Sequence, residues 1–431
     1  MRVVIVNKSD TTGGAAMVSF RLMEALRNVG VDARMIVTEK LSDSPYVDKA
    51  APGLLMKERF LEDTLRKYIA NGRDKDTMFK IDTGDLGLPL WRHPWVKDAD
   101  IVMLNWVNQG MLSLKGIDKI LKKGKKVIWT MHDLWCMTGI CHHPYGCINF
   151  YEKCGECEWL NCEKSAPDDF SARVWKNKED LYFSPEGEKI VFVAVSNWLA
   201  EMAKKSSLLG NKKVEVIPNA LPITSAFPAR TKKNKGEKIK ILFGAARIDD
   251  PIKGYRTLEA ALKILKNEYP EVASEIELIT FGDIKRPYYF SWLDNESGLS
   301  HTHLGMLRGE EEIRKVYAEG DILLSTSLWE TLPTTLMEAQ LYGCAPVSLD
   351  RGGQPDIVDH LSTGYLIDAR GAMEEVARNL IKGILWAIDQ IRSDEYENMI
   401  LRMRESVEKR FAPAVVAQQY INLINKMMEE K

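Results

Sequence analysis

The feature that most constrains the fold of this 431-residue chain is a repeated alternation of short apolar runs with helical stretches. In the first half the helical stretch AAMVSFRLMEALRNVG is closed by Gly30, and the apolar runs are RVVIVN, DARMIVT, ADIVMLNW, KKVIWTMHD, KIVFVAVS and VEVIPN. Continuous apolar strands that alternate with helices are typical of a parallel sheet covered on both faces. The pattern therefore predicts a doubly wound, Rossmann-like domain.

The same alternation begins again after the linker-like segment IPNALPITSAFPARTKKNKGEK and runs from IKILFGAAR to TGYLID. The fold class predicted is therefore α/β, with two Rossmann-like doubly wound domains that face each other across a cleft and bind ligands at the carboxyl ends of their strands. We expect the first domain at 1–222, with a Cys-rich insertion near 136–162, and the second domain at 223–405. The last segment, 406–431, is expected to be helical and to return to the first domain.

Composition is that of a globular protein, with 45% hydrophobic and 28% charged residues and a formal net charge of -2. A general nucleic-acid binder would be expected to show a strongly basic balance, so nucleic acid is excluded as the expected partner. The start MRVVIVNKSD resembles a strand and not a signal peptide, and apolar runs are too short to span a membrane. We expect a cytoplasmic protein.

Two segments suggest peripheral contact with a membrane. The basic run LKKGKKV at 121–127 has a simple interpretation as the solvated end of a helix, and the alternative is contact with anionic lipid heads. The stretch LLMKERFLEDTLRKYIA at 54–70 is amphipathic, as in helices that lie on a bilayer surface. The sequence leaves the two interpretations open.

The segment SLWETLPTTLMEAQLYG predicts a ligand site in the second half. Pro333 is expected at the first helical position, with Thr334 and Thr335 in the first turn, so that free backbone amides and the positive helix dipole offer a seat for phosphate. Glu330, in the turn before the helix, could contact hydroxyl groups of the ligand. Glu338, two turns into the helix, could accept hydrogen bonds from a ribose. The alternative is that Glu330 caps the helix by its charge and that Glu338 is a solvated surface residue.

Cations and glycines at other strand ends suggest further phosphate contacts. Arg247 follows the strand ILFGAA and Lys253 precedes Gly254 at the start of the next helix, so both could neutralise a diphosphate leaving group. Gly13 and Gly14 follow the first strand and allow close approach of the backbone at a helix N-terminus. Each of these signals is weak by itself.

Six of the seven cysteines fall between 136 and 162. A reducing compartment favours a metal site over disulfides for such a cluster, and four thiolates suit structural zinc. The candidate ligands are spaced C-x5-C-x6-C-x2-C, with His142 and His143 as possible substitutes: Cys141, Cys147, Cys154 and Cys157. The alternative is a set of unligated, buried thiols, because this spacing fits no standard zinc finger.

Taken in order along nearly the whole chain, these features resemble glycosyltransferase family 4, the retaining enzymes of the GT-B fold. The resemblance rests on a Gly-Gly loop after the first strand, TMHD, VSNWLAE, VIPNA, R-x5-KG, E-x7-E, and the final GG and TGYL. The stretch VIWTMHDLWCMTGICHHPYGC is similar to the colanic-acid-type branch, which acts in extracellular and capsular polysaccharide biosynthesis.

The resemblance implies that the domain at 1–222 binds the acceptor and the domain at 223–405 binds the nucleotide sugar. It also implies a role for each candidate residue. Arg247 and Lys253 would bind the diphosphate of a nucleotide sugar, Glu338 the ribose and Glu330 the donor sugar, while His132 would face the reacting sugar from the other domain. Two positions depart from the family pattern: Pro333 replaces a glycine of many members, and Asn105 stands where a histidine is common in the colanic-acid-type branch.

The sequence thus predicts a retaining glycosyltransferase that transfers a sugar from a nucleotide diphosphate sugar to a glycan or lipid-linked acceptor. Protein cations would assist departure of the diphosphate, so no metal ion is expected in the chemistry. Two alternatives stay open: a nucleotide-sugar epimerase on the same scaffold, and a non-catalytic nucleotide-binding assembly subunit.

Overall fold

The computed structural model describes residues 1–160, 167–223, 227–307 and 309–430. Residues 161 and 162, at the end of the predicted Cys-rich insertion, lie outside the described residues. The chain divides into two compact units, residues 1–220 with 413–431 and residues 221–412. The sequence interpretation put these two transitions after residues 222 and 405. The binding roles assigned to the two domains stay predictions.

The first unit contains a seven-stranded parallel sheet in its described part, with strand order β3-β2-β1-β4-β5-β6-β7. The pairing partners run parallel throughout, as the continuous apolar runs predicted. The strands are β1 (Arg2–Val6), β2 (Asp32–Val37), β3 (Val47–Lys49), β4 (Ile101–Leu104), β5 (Lys126–Met131), β6 (Ile190–Ala194) and β7 (Val214–Val216).

Helices connect these strands. They are α1 (Gly14–Asn28), α2 (Gly53–Ala70), α3 (Pro94–Asp98), α4 (Leu114–Lys122), α5 (Phe170–Tyr182) and α6 (Asn197–Lys205). Side-chain oxygens of Ser113, Asp169 and Ser196 accept hydrogen bonds from backbone amides in the first turns of α4, α5 and α6, respectively. These caps fix where each helix begins.

The second unit contains a six-stranded parallel sheet in its described part, with strand order β10-β9-β8-β11-β12-β13. The strands are β8 (Ile239–Arg247), β9 (Ile276–Asp283), β10 (Ser300–His303), β11 (Ile322–Ser325), β12 (Ala345–Leu349) and β13 (Tyr365–Ile367). The helices are α7 (Tyr255–Glu268), α8 (Pro270–Glu275), α9 (Ser291–Asn295), α10 (Glu310–Glu319), α11 (Thr334–Leu341), α12 (Met373–Arg392) and α13 (Tyr396–Phe411).

The last helix, α14 (Pro413–Glu429), belongs to the first unit. Its residues Val416, Tyr420 and Ile424 are buried in the hydrophobic core that β1, β2, β4 and α1 also form. The Tyr420 hydroxyl lies 3.1 Å from Thr130 Oγ1 on β5. Burial of this apolar face, more than helix propensity, explains why the end of the chain packs against the first sheet.

The predicted fold class, α/β with two Rossmann-like doubly wound domains, is confirmed by the two sheets. The sequence interpretation missed the short edge strand β3 and the long helix α12, and it placed the C-terminal helices at 394–409 and 414–429. Pro333 was expected to be the first helical residue, but it is the N-cap of α11 with extended backbone angles. In the described residues, no helix combines the length and apolar character needed to cross a bilayer.

Candidate functional site

The site in the second unit lies where three neighbouring parallel strands end. Strands β8, β11 and β12 pair side by side, so the loops that follow them meet at one edge of the sheet. From β8 the chain adds β9 and β10 on one side of the strand and then continues with β11 on the other side. The edge between β8 and β11 is therefore a topological switch point. Ligands of open α/β sheets bind at such a point.

The turn after β8 and the loop after β11 are packed directly against each other. Gly254 has φ 72°, and a Cβ added there would lie 2.0 Å from the carbonyl oxygen of Thr326, so a glycine is required. The Thr326 hydroxyl lies 2.9 Å from the carbonyl oxygen of Lys253, and the amide of Leu328 donates to the carbonyl oxygen of Ile252 at 2.7 Å. Backbone contacts therefore fix the distance between the residues that these loops carry.

This packing brings together two residues that the sequence interpretation singled out separately. Lys253 Nζ lies 2.7 Å from Glu330 Oε1, and the two side chains are 26% and 20% exposed. Burial opposes the charge of Lys253, but the Glu330 carboxylate outweighs it and raises the pKa of the lysine. Lys253 is therefore cationic, and both side chains remain partly accessible to a ligand.

The loop after β12 holds the backbone of Glu330. The amide of Gly353 donates to the carbonyl oxygen of Glu330 at 2.8 Å, and a Cβ at Gly352 would lie 2.5 Å from the same oxygen. Gln354 is buried, its Oε1 accepts from Ser325 Oγ at 2.7 Å, and its Nε2 donates to the carbonyl oxygen of Ser327 at 3.0 Å. The GG motif was recognised in the sequence, but the role of Gln354 was not, because no local pattern marks a buried amide that joins two loops.

Arg247 ends β8 and lies near the same edge. Its Nε donates to Asp249 Oδ1 at 3.3 Å, and its side chain is 40% exposed. Asp249 is buried and also accepts from the amides of Lys285 and Arg286. The guanidinium is thus oriented by a fixed carboxylate while most of its donors stay available for phosphate oxygens.

Helix α11 contributes backbone amides and the second glutamate. Because Pro333 is its N-cap, the helix begins at Thr334, and Thr334 and Thr335 are half-buried in its first turn. Glu338 lies one turn farther along and accepts a hydrogen bond from the Tyr317 hydroxyl of α10. Burial, together with this carboxylate, raises the pKa of the Tyr317 hydroxyl well above its usual value. The helix lies at the predicted place, and contact of these residues with a ligand stays a prediction.

In the first unit, the glycine loop follows β1 as predicted. Gly13 is the N-cap of α1 with φ 92°, and Gly14 is the first helical residue. A Cβ at either position would meet no atom within 4 Å in the described residues, so the space around the loop is open. The positive φ explains the glycine at 13, whereas nothing in the structure requires one at 14.

His132 follows β5 and is half-buried. It lines a small cavity together with Asn105, Thr130 and Tyr420. Burial lowers its pKa to about 4, so the imidazole is neutral near pH 7. Asn105, at the departure from the family pattern, donates to Ser19 Oγ of α1 and ties β4 to that helix.

The neighbouring carboxylate orients a different histidine. Asp133 Oδ2 lies 2.7 Å from His142 Nδ1 and accepts from Trp106 Nε1 at 2.9 Å, while Oδ1 accepts from the amide of Trp135 at 2.8 Å. Burial opposes the charge of Asp133, but His142 lowers its pKa to about 2. The sequence interpretation missed this Asp133–His142 pair and treated His142 only as a substitute metal ligand.

The four candidate zinc ligands are free thiols in the structure, two buried and two half-buried. The Cys154 sulfur accepts a hydrogen bond from the amide of Gly139 at 3.0 Å, and burial raises the pKa of Cys154 to about 12 and that of Cys157 to about 11. Cys141 and Cys147 are near enough to influence these thiols, yet no group of three or more His, Cys, Asp or Glu among the described residues is placed to hold a metal ion. The zinc hypothesis stays a prediction.

Comparison with known families adds an observation about the second unit. Residues 226–398 match the family model described as Glycosyl transferases group 1. The match includes Arg247, Lys253, Glu330 and Glu338.

Two curated proteins illustrate the similarity. The Klebsiella pneumoniae protein described as an uncharacterized 41.2 kDa protein in the cps region is 24% identical over 216 residues, covering 47% of this chain and 55% of that protein. The Escherichia coli protein described as the putative colanic acid biosynthesis glycosyl transferase WcaC is 24% identical over 244 residues, covering 54% of this chain and 55% of that protein. The chain thus matches only about half the length of these relatives.

A solved structure extends the likeness to the whole fold. The crystal structure of HepE from Anabaena in complex with UDP has a TM-score of 0.58 and 15% identity, covering 99% of this chain and 100% of that chain. The likeness shows the fold alone, two Rossmann-like domains as in GT-B glycosyltransferases.

Proposed function

We propose that this protein is a retaining glycosyltransferase of cell-surface polysaccharide biosynthesis, which transfers a sugar from a nucleotide diphosphate sugar to a glycan or lipid-linked acceptor. The observation that carries the proposal is the Lys253–Glu330 ion pair, held at 2.7 Å at the topological switch point of the unit that matches group 1 glycosyl transferases. The names of the relatives support a role in polysaccharide biosynthesis. HepE was crystallised with UDP and with UDP-glucose, which supports a nucleotide-sugar donor.

In the proposed reaction the donor diphosphate binds at Lys253, Arg247 and the free amides at the start of α11. Lys253 exchanges Glu330 for phosphate oxygens, which releases the Glu330 carboxylate toward the hydroxyl groups of the donor sugar. Glu338, oriented by the Tyr317 hydroxyl, accepts hydrogen bonds from the ribose.

Negative charge grows on the diphosphate as the glycosidic bond to the donor breaks. Cations held in place before the reaction stabilise this charge without reorganising, which supports transfer without a catalytic metal ion. His132, neutral and half-buried, is proposed to contact the reacting sugar by hydrogen bonding and not as a cation. A cytoplasmic location is part of the proposal.

Ligand-dependent unfolding tests the donor site. A nucleoside diphosphate or its sugar at 100 times its dissociation constant should add about 2.7 kcal/mol to the free energy of unfolding. Lys253→Ala should lose most of this gain. Lys263→Ala should keep it, because Lys263 is an exposed lysine of α7 that pairs with Glu259. Equal stabilisation of both variants would contradict the assigned site.

Product analysis separates the proposal from its alternatives. Incubation with the stabilising donor and candidate acceptors should yield a glycosylated acceptor whose new linkage keeps the anomeric configuration of the donor. An altered nucleotide sugar formed without an acceptor would indicate an epimerase, and binding without turnover would indicate an assembly subunit. The group 1 match of the second unit favours transfer over both.

A further inference from the structure

Three side chains meet at the carboxyl edge of the first sheet, where strands β1, β4 and β5 lie side by side. Trp106 follows β4, Asp133 follows β5, and His142 lies in the segment that returns to the same edge after β5. The carboxyl edge of an open α/β sheet is where ligands bind. This group is called here the aromatic platform: Trp106, Asp133 and His142.

Backbone hydrogen bonds hold both rings of the aromatic platform in place. The amide of Trp106 donates to Asn7 Oδ1 at 2.8 Å, and its carbonyl oxygen accepts from the amide of Lys8 at 2.9 Å. The carbonyl oxygen of His142 accepts from the amide of Leu134 at 3.0 Å. The segments that follow three neighbouring strands thus converge on these rings, so a ligand meets them already positioned.

One carboxylate oxygen joins the two rings. Asp133 Oδ2 accepts from Trp106 Nε1 at 2.9 Å and lies 2.7 Å from His142 Nδ1. The ring centroids are 5.7 Å apart, and the ring planes are inclined by 31°. An ionised carboxylate only accepts hydrogen bonds, so His142 Nδ1 carries a proton and Nε2 is the ring nitrogen left for a ligand.

This combination of groups suits a neutral sugar better than a phosphate. Half-buried Trp106 offers the electron-rich face of an indole, on which the C–H groups of a pyranose ring can stack. His142 Nε2 can accept a hydrogen bond from a hydroxyl group. In the described part of the chain, Asp133 pairs with no lysine or arginine, so its negative charge opposes the approach of a phosphate.

The loop after β4 carries two further features that are typical of a ligand site. Gln109 is a non-glycine residue with φ 56°, in the left-handed region where backbone strain is stored. Asn108 is 4% exposed, and its Nδ2 has no hydrogen-bond partner among the described residues. A buried donor without a partner costs free energy, and a ligand hydroxyl is a group that satisfies it. Both residues lie within three positions of Trp106.

We propose that the aromatic platform binds the acceptor, and that this acceptor is a glycan ending in a neutral pyranose and not a polyprenyl phosphate. The Trp106 ring stacks on the apolar face of the terminal sugar, and His142 Nε2 accepts from one of its hydroxyl groups. Asp133 is a positioning residue, because it acts through both rings. The inference rests on the proposed function, which defines an acceptor.

Nuclear magnetic resonance of the full chain with 15N-labelled tryptophan tests binding without relying on catalysis. Methyl pyranosides of glucose, galactose, mannose and N-acetylglucosamine are the probes, and at least one should shift the Trp106 Nε1–H resonance. Trp106→Phe identifies this resonance by its disappearance. Undecaprenyl phosphate and inorganic phosphate should leave it unchanged. The internal control is Trp91, a half-buried tryptophan of the same unit whose ring contacts Lys119.

Steady-state kinetics with the stabilising donor tests the role in transfer. Trp106→Ala and His142→Ala should each raise the acceptor KM about tenfold. The donor KM and the stabilisation by the donor should stay at wild-type values, because the proposed donor residues lie in the second unit. Trp106→Phe keeps an aromatic ring and should raise the acceptor KM only about threefold, so it tests the stacking even where Trp106→Ala fails to fold. Trp91→Ala should leave the acceptor KM unchanged.

Three outcomes would refute the inference. The first is that none of the pyranosides shifts the Trp106 resonance, and the second is a wild-type acceptor KM in the Trp106→Ala and Trp106→Phe enzymes. The third is transfer to undecaprenyl phosphate in place of pyranosides. Binding of a pyranoside at Trp106 without transfer from any donor would instead contradict the proposed function, and it would keep the aromatic platform as a sugar-binding site.

Discussion

The two units use charged side chains in different ways. At the switch point of the second unit, Lys253 and Glu330 form a two-membered pair that is about a quarter exposed. In the first unit, Lys67 contacts two carboxylates, and all three side chains are nearly inaccessible. In the proposed function the first pair exchanges its partner for a ligand, whereas the second can only be broken at a cost. The comparison teaches that accessibility, more than ion pairing itself, separates a candidate binding site from a structural cluster.

The largest effect is expected from breaking the buried cluster. Asp82→Asn removes the carboxylate that Lys67 and two backbone amides share, so we expect the free energy of unfolding to fall by about 3–5 kcal/mol. Asp63→Asn should change it by only about 1 kcal/mol or less, because Lys67 keeps Asp82. Chemical denaturation at neutral pH measures both. Equal losses in the two variants would show that the carboxylates are equivalent, contrary to their different hydrogen bonding.

Removing one member of the exposed pair should instead change catalysis. Glu330→Gln is expected to lower kcat about a hundredfold or more, equivalent to at least ~2.7 kcal/mol, because the carboxylate is proposed to act on the donor sugar in the transition state. The donor KM should rise little, since Lys253 is released for the diphosphate. Stability should stay close to that of the wild type.

Steady-state kinetics with the identified donor measures this effect, and Glu311→Gln on the exposed side of α10 is the control. A Glu330→Gln enzyme with wild-type kcat would make the Lys253–Glu330 pair structural. It would then resemble the cluster in the first unit despite its exposure.

A smaller effect is expected at the ribose position. Glu338→Gln should mainly raise the donor KM, by an amount that corresponds to a charged hydrogen bond, about 1.5–3 kcal/mol. Tyr317→Phe should also raise the donor KM, but by a smaller amount, because it removes only the hydroxyl that orients Glu338. Calorimetric binding of the nucleoside diphosphate distinguishes this effect from a loss of kcat. Unchanged affinity in Glu338→Gln would move the ribose contact elsewhere in the second unit.

The sequence was informative about the second unit because its candidate residues follow short local patterns. Lys253 precedes a glycine at a helix start, and Glu330 lies between a buried strand and a proline, so both could be assigned to strand ends. The contact between them could be expected only once β8 and β11 were known to be neighbours.

The first unit was harder to predict because its polar contacts join distant segments. Asp82 and Lys67 are 15 residues apart, and Gln109, which donates to Asp82, is 27 residues away. The stretch 54–70 was correctly recognised as amphipathic, but periodicity cannot show which face is turned inward. Burial of Asp63 and Lys67 decides the orientation, and no local signal in the sequence marks them as buried.

The last effect concerns the protonation of Asp63. Burial, and then the nearby Asp82 carboxylate, raise the pKa of Asp63 to about 6, above the usual value near 4 for the unfolded chain. Between these two values the folded protein holds more protons than the unfolded chain, so the contribution of Asp63 makes the free energy of unfolding fall as pH rises from about 4 to about 6. Asp63→Asn cannot titrate and should lack this decline, which is about 2 kcal/mol for a shift of about two pKa units. Urea unfolding of wild type and variant across this pH range measures it as the difference between two curves. Parallel curves would mean that Asp63 stays ionised throughout, and Lys67 would then have to hold both carboxylates as charged partners in the interior of the first unit.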